Sequence, residues 1–150
     1  MSGTRRNLKV AHVLRRFVFE EWGGTETVVW NTVLQQHAAG VSAEILATSA
    51  LSVPGEEIRD GIRIRRFPYW YPYFPLGKKA RLELDKKGGN PFVPGLFRAL
   101  RRGGFDLIHI HHNESGSIPY FICEITRSLN SFHVETHIIT RSISCDQSKA

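Results

Sequence analysis

Four stretches within the first 48 residues limit the fold more than anything else in this chain. Residues 8–14 (LKVAHVL) form a nearly continuous apolar run with β-branched members. Strands covered on both faces by helices have this composition. The loop RRFVFEEWGG follows, ending in Gly23 and Gly24. From residue 25 the positions Val29, Trp30, Val33, Leu34 and His37 recur at helical spacing, and Gly40 closes the stripe where a left-handed cap is expected. Residues 41–48 (VSAEILAT) then read as a second strand. Strand, helix and strand in that order form the right-handed crossover of a parallel sheet.

The remaining chain continues the alternation. Residues 51–60 read as a loop, with Pro54-Gly55 as its turn. In residues 61–68 (GIRIRRFP) Ile62, Ile64 and Phe67 are set among arginines, which predicts a third strand near a sheet edge. The aromatic, proline-punctuated run 69–75 fits neither a helix nor a central strand. Residues 77–89 are basic and polar, a loop or short helix. A helix with Leu96, Phe97 and Leu100 on one side opens near Asn90 and Pro91 and stops at Gly103-Gly104. Residues 105–111 (FDLIHIH) are a strong strand signal, 117–129 a further helix and 132–139 a last strand. The fold class expected is therefore α/β, a parallel sheet with helices on both faces.

The 150 residues suit one domain with a real core, and no apolar run is long enough to span a bilayer. The first apolar run is interrupted by His12 and lacks a small-residue cleavage site, so it reads as a strand and not as a signal peptide. The net charge of +6 favours polyanions, whether nucleic acid, anionic lipid or phosphorylated small molecules, without choosing among them. Cys123 and Cys145 are far apart and form no CxxC pattern, so a reduced, cytoplasmic setting is the default expectation. Arginine is frequent before Asn113 and scarce after it, while both cysteines lie after it. Residues 141–150 show no amphipathic pattern and are expected to be an irregular tail behind a domain of residues 1–140.

Gly23 and Gly24, between a strand and a helix N-terminus, allow positive φ and a close ligand approach beside free N–H groups. That makes a candidate phosphate site, and the same residues equally suit a tight turn with no ligand. The spacing is neither GxGxxG nor a P-loop, and no GxSxG elbow occurs. Glu26, in the first helical turn, complements the helix dipole. His109 and His111 fall on one face of their strand, with His112 on the other. An HxHxDH zinc pattern would need aspartate where Asn113 stands, so no metal site is expected. His111 ends its strand where open α/β sheets bind ligands, and its imidazole suits a sugar hydroxyl or a phosphate. His109 reads as a core histidine bonded to backbone. The aromatic run 69–75 beside Lys78, Lys79, Lys86 and Lys87 suits base stacking, a lipid headgroup layer or plain packing. No nucleic-acid recognition module is visible, and no nucleic-acid partner is expected.

Taken in order, the strand, the GGTE turn, the helix TVVWNTVLQQHAAG, GIRIRRFP and FDLIHIHH resemble the start of retaining GT-B glycosyltransferases of the GT4 (group 1) kind. The resemblance covers residues 8–112. Beyond Asn113 it weakens, with Ser131 where isoleucine is usual. It implies the N-terminal, acceptor-side half of a GT-B fold, with a Rossmann-like sheet. It implies Gly23 and Gly24 as the diphosphate-side loop, with Thr25, Glu26 and His109 as further substrate-binding positions. His111 would be the catalytic-centre histidine. No cofactor and no metal is implied. The partners implied are a nucleotide-sugar donor and a glycan or lipid-linked acceptor. The basic and aromatic residues add peripheral contact with a cytoplasmic membrane surface, and the alternative reading is a non-catalytic α/β module that binds anionic ligands or a membrane through its basic face. In that family an E-x7-E segment of a second domain holds the donor. None occurs here, so the chain is expected to be a fragment or truncated product with little or no transferase activity alone.

Overall fold

A computed structural model describes residues 7–72, 75–112 and 133–138, with backbone alone for residues 112 and 133–138. The elements in chain order are β1 (Lys9–Arg16), α1 (Gly24–Ala38), β2 (Ser42–Thr48), β3 (Gly55–Arg59), β4 (Ile62–Phe67), α2 (Lys78–Lys87), α3 (Pro94–Arg102), β5 (Leu107–His112) and β6 (His133–Ile138). Six strands form one sheet in the order β3-β4-β2-β1-β5-β6. Every neighbouring pair is parallel except β3 with β4.

The period of two along the central strands sorts their side chains between the two faces. Val10 and Leu14 of β1, Ala43, Ile45 and Ala47 of β2, and Ile62 and Ile64 of β4 pack under α1 with Val29 and Val33. Ala11, Val13, Leu46, Ile108 and Ile110 face the other way, against Leu96 and Leu100 of α3 and against Phe105. Fully burying one such side chain stabilises by roughly 1.5–3 kcal/mol, so the two apolar layers fix the register of the sheet. Helices thus cover both faces, as the sequence predicts. Gly40 takes the left-handed conformation expected of it, with φ +81°.

Two expectations need correction. Residues 55–59, read as part of a loop, form the edge strand β3, beside which β4 lies near the sheet edge as expected. Asp60 (φ 50°) and Gly61 (φ 78°) make a two-residue turn with both φ positive, the hairpin turn whose twist matches the strands. GEEIR has no buried face, so apolar alternation could not reveal it. Cross-strand ion pairs hold it instead: Glu56 with Arg63 at 3.1 Å, and Glu57 with Arg66 at 2.9 Å. The third helix also starts later than expected, at Pro94 and not near Asn90. Phe92 is extended and pairs with Trp70 through two backbone hydrogen bonds, and Pro94 supplies the fixed φ of a first helical position. The expected helix at 117–129 and the tail at 141–150 lie outside the described residues.

Candidate active-site crevice

In strand order the chain leaves β1 toward β2 on one side and returns to β5 on the other. Open α/β sheets bind ligands at the carboxyl ends of the strands that flank such a reversal. Those ends are Arg15 and Arg16 of β1 and His111 of β5. A register shift between Leu14 and Arg16 marks a bulge at the end of β1. Bulges re-aim side chains, and here the two arginines diverge. Arg15 donates to the carbonyls of Leu84 and Asp85, at 3.4 and 2.7 Å, at the C-terminal end of α2. Arg16 turns to the opposite layer and pairs with Glu26 of α1 at 3.5 Å and with Glu21 at 3.3 Å.

The glycine loop reaches α1 with Gly23 as its N-cap, at φ −117° and ψ −178°. This is extended backbone, so positive φ is not what demands glycine here. A Cβ on Gly23 would lie 2.7 Å from Glu26 Oε2, so a side chain there would have to displace that carboxylate. Glu26 is only 6% exposed and folds back over the first turn. Its charge therefore already complements the helix dipole, with Arg16 as counter-ion. Gly24 is exposed, with open space beyond its Cα, and Thr25 is half-buried beside it. We expect Gly23→Ala to cost about 1–3 kcal/mol, because the Arg16–Glu26 pair must move or break. Urea unfolding with an unchanged midpoint would show that the contact is not tight.

The loop between β1 and α1 is also anchored sideways. Arg66 Nε donates to the Phe17 carbonyl at 3.0 Å while its guanidinium pairs with Glu57. Phe17, Phe19, Trp22 and Trp30 pack together, mostly edge to face, with ring centroids 5.1–6.4 Å apart, and the Arg59 guanidinium lies 3.9 Å over the Phe19 ring. Aromatic packing of this kind gives the loop of residues 17–23 one conformation.

His109 and His111 do share a face, with ring centroids 4.1 Å apart. His111 is 8% exposed, and His109 is half-buried. Sequence reasoning treated His12 only as an interruption of a strand, and that was the missed signal. A histidine in an otherwise apolar, doubly covered strand needs partners. His12 is fully buried and sits opposite His109 in the ladder. Its Nδ1 lies 2.9 Å from His111 Nε2, and its Nε2 lies 2.8 Å from Gln36 Oε1. The amide oxygen only accepts, so the His12 proton is on Nε2 and His111 Nε2–H donates to His12 Nδ1. Burial lowers the His12 pKa to about 4, against the Gln36 hydrogen bond and with help from His109, so the ring is neutral near pH 7.

On the other layer an open cleft of about 600 Å³ lies beyond the carboxyl ends of β2 and β4. Ser49, Ser52, Pro68, Tyr69, Arg81 and Asp85 line it. Asp85 is buried and accepts hydrogen bonds from Tyr69 Oη (2.6 Å) and Tyr71 Oη (2.8 Å) on one oxygen. Burial, then the Asp85 contact, pushes both phenols above their usual range. No pattern along the chain signals this cluster, because its members come from different segments with no fixed spacing.

The family model described as a glycosyl transferase 4-like domain matches residues 23–142, most of the chain. This chain belongs to the glycosyl transferase 4-like family. A comparison with curated proteins gives no match. The α/β sheet of this glycosyltransferase domain agrees with the N-terminal half of a GT-B fold. Among the described residues no helix is long and apolar enough to cross a membrane.

Proposed function

We propose that this glycosyltransferase domain is the acceptor-side wall of a retaining enzyme that moves a sugar from a nucleotide-sugar to a glycan or lipid-linked acceptor. The observation that carries the reading is the placement of Gly24 and Thr25, at an exposed helix N-terminus after β1, and of His111, at the end of neighbouring β5. The reversal of strand order falls between those two strands. The N–H groups of the first turn of α1 stabilise a departing diphosphate, and His111 contacts the sugar or phosphate. Gly23 and Glu26 shape that turn, and His109 supports His111. The cleft lined by Arg81, Tyr69 and Ser52 takes the acceptor. Most of the work is positioning and charge stabilisation, with no metal or cofactor assigned a role.

Glu26 already satisfies part of the helix N-terminus, so this wall alone holds a diphosphate weakly. We expect these 150 residues by themselves to bind a nucleotide-sugar with millimolar affinity and to show no detectable turnover. Amide NMR titration with a nucleoside diphosphate sugar tests it. Shifts at Gly24, Thr25 and the His111 ring are expected; shifts elsewhere only, or efficient transfer by the chain alone, would refute the reading.

Peripheral membrane contact has its own support. Trp70 and Phe92 are 52% and 49% exposed, with ring centroids 4.8 Å apart. They join the segments flanking α2 and α3, whose last turns carry Lys86, Lys87, Arg101 and Arg102. Aromatic rings beside cations suit an anionic headgroup layer. Vesicles containing phosphatidylserine should retain the protein at low salt, and the double variant Trp70→Ala, Phe92→Ala should weaken retention several-fold. Equal retention of the variant would remove this contact surface.

A further inference from the structure

We infer that His12, His109 and His111 form a binding site for a divalent transition metal of the zinc, cobalt or nickel kind. The proposal is independent of the sugar-transfer reading, because it does not require His111 to touch a donor. One ring nitrogen from each of the three residues lies within 4.8 Å of the others. The residues come from adjacent parallel strands and share the α1 face of the sheet, with His12 opposite His109 in the ladder.

The orientation of His12 supports ligation. Its Nε2–H is held by Gln36 Oε1 at 2.8 Å, which turns the Nδ1 lone pair into the cluster. Metal-bound histidines are oriented in this way, by an acceptor that holds the other ring nitrogen. His12 Nδ1 and His111 Nε2 are 2.9 Å apart, so one ion can reach both at the ordinary metal–imidazole length of about 2.0–2.1 Å. The third nitrogen must close by up to roughly 1.5 Å, which rotation of the half-buried His109 ring supplies. On binding, the proton of His111 Nε2 leaves that atom. The ring adopts the tautomer protonated at Nδ1, and no oxidation state changes. The donor set is three neutral imidazoles with no carboxylate, which selects zinc, cobalt or nickel over magnesium and calcium.

The test is titration of cobalt(II) into the whole chain after chelator treatment. Expected are one ion per chain by equilibrium dialysis, the visible absorption of a tetrahedral ion, and displacement by zinc. His109→Ala opens no deep cavity and should lower affinity at least tenfold. Gln36→Ala should lower it about 10- to 100-fold through loss of the hydrogen bond that orients His12. His37→Ala, at the exposed end of α1, should leave it unchanged. X-ray absorption of the zinc-loaded unmodified chain should count three imidazole nitrogens, a reading that needs no variant. Absence of stoichiometric binding at micromolar metal, a shell with fewer than three imidazoles, or binding that His37→Ala abolishes and His109→Ala leaves intact would overturn the proposal.

Discussion

Replacing Asp85 with alanine is expected to destabilise the domain by about 3 kcal/mol. Asp85 is 6% exposed, and one of its oxygens accepts both the Tyr69 and the Tyr71 hydroxyl. Truncation leaves two buried hydroxyls without their acceptor, each costing about 1–3 kcal/mol, plus a cavity. Water entering from the cleft beside Tyr69 offsets part of that sum, which holds the figure near the middle of the range. Asp85→Asn keeps an acceptor oxygen and should cost about 1 kcal/mol, the value of the lost charge. Urea unfolding measures both; a lower midpoint at unchanged slope is the expected signature. A loss below about 1 kcal/mol for Asp85→Ala would show that the tyrosines find other partners. The consequence reaches the crevice, because α2 carries both Asp85 and the carbonyls that hold Arg15.

Acid should destabilise the fold through His12 before the carboxylates titrate. The folded pKa is about 4, below the value of 6.5 for an exposed histidine. For a group whose folded pKa is depressed, the unfolded chain takes up the proton first as pH falls. The contribution of His12 is therefore complete above pH 6.5, shrinks below it, and is gone below about pH 4. The shift corresponds to a loss of about 2 kcal/mol at pH 5 and about 3 kcal/mol at pH 4. Comparing the chain with His12→Gln in metal-free buffer isolates the effect. The variant should be less stable at pH 7 yet lose less between pH 7 and 5. Parallel losses in the two proteins would mean that His12 is already protonated in the fold and that its Nδ1 does not accept from His111 Nε2–H.

The order of elements around the glycine loop was legible because burial on both faces writes itself as unbroken apolar runs. Residues 8–14 and 41–48 gave β1 and β2, and the stripe from Val29 to Leu34 gave α1. The shared face of His109 and His111 followed from strand pleat alone. The hairpin partner β3 was not legible, because its stability lies in Glu56 and Glu57 pairing with arginines of the next strand. The start of α3 was misplaced because the Trp70–Phe92 pairing, a contact across the chain, keeps residue 92 extended.

The sequence by itself determined the parallel α/β sheet, its two apolar layers and the placing of Gly24 and His111 beyond the ends of strands. These rest on periodicity and local backbone preference, which act over a few residues. Only the tertiary structure decided what surrounds them. It showed that a buried Glu26 lies close against Gly23, that a bulge sends Arg15 and Arg16 to opposite layers, and that His12 and Gln36 set the tautomer of His111. It also gathered Tyr69, Tyr71 and Asp85 around one oxygen. Each depends on groups brought together from distant segments, and long-range packing fixes those distances where no spacing along the chain records them.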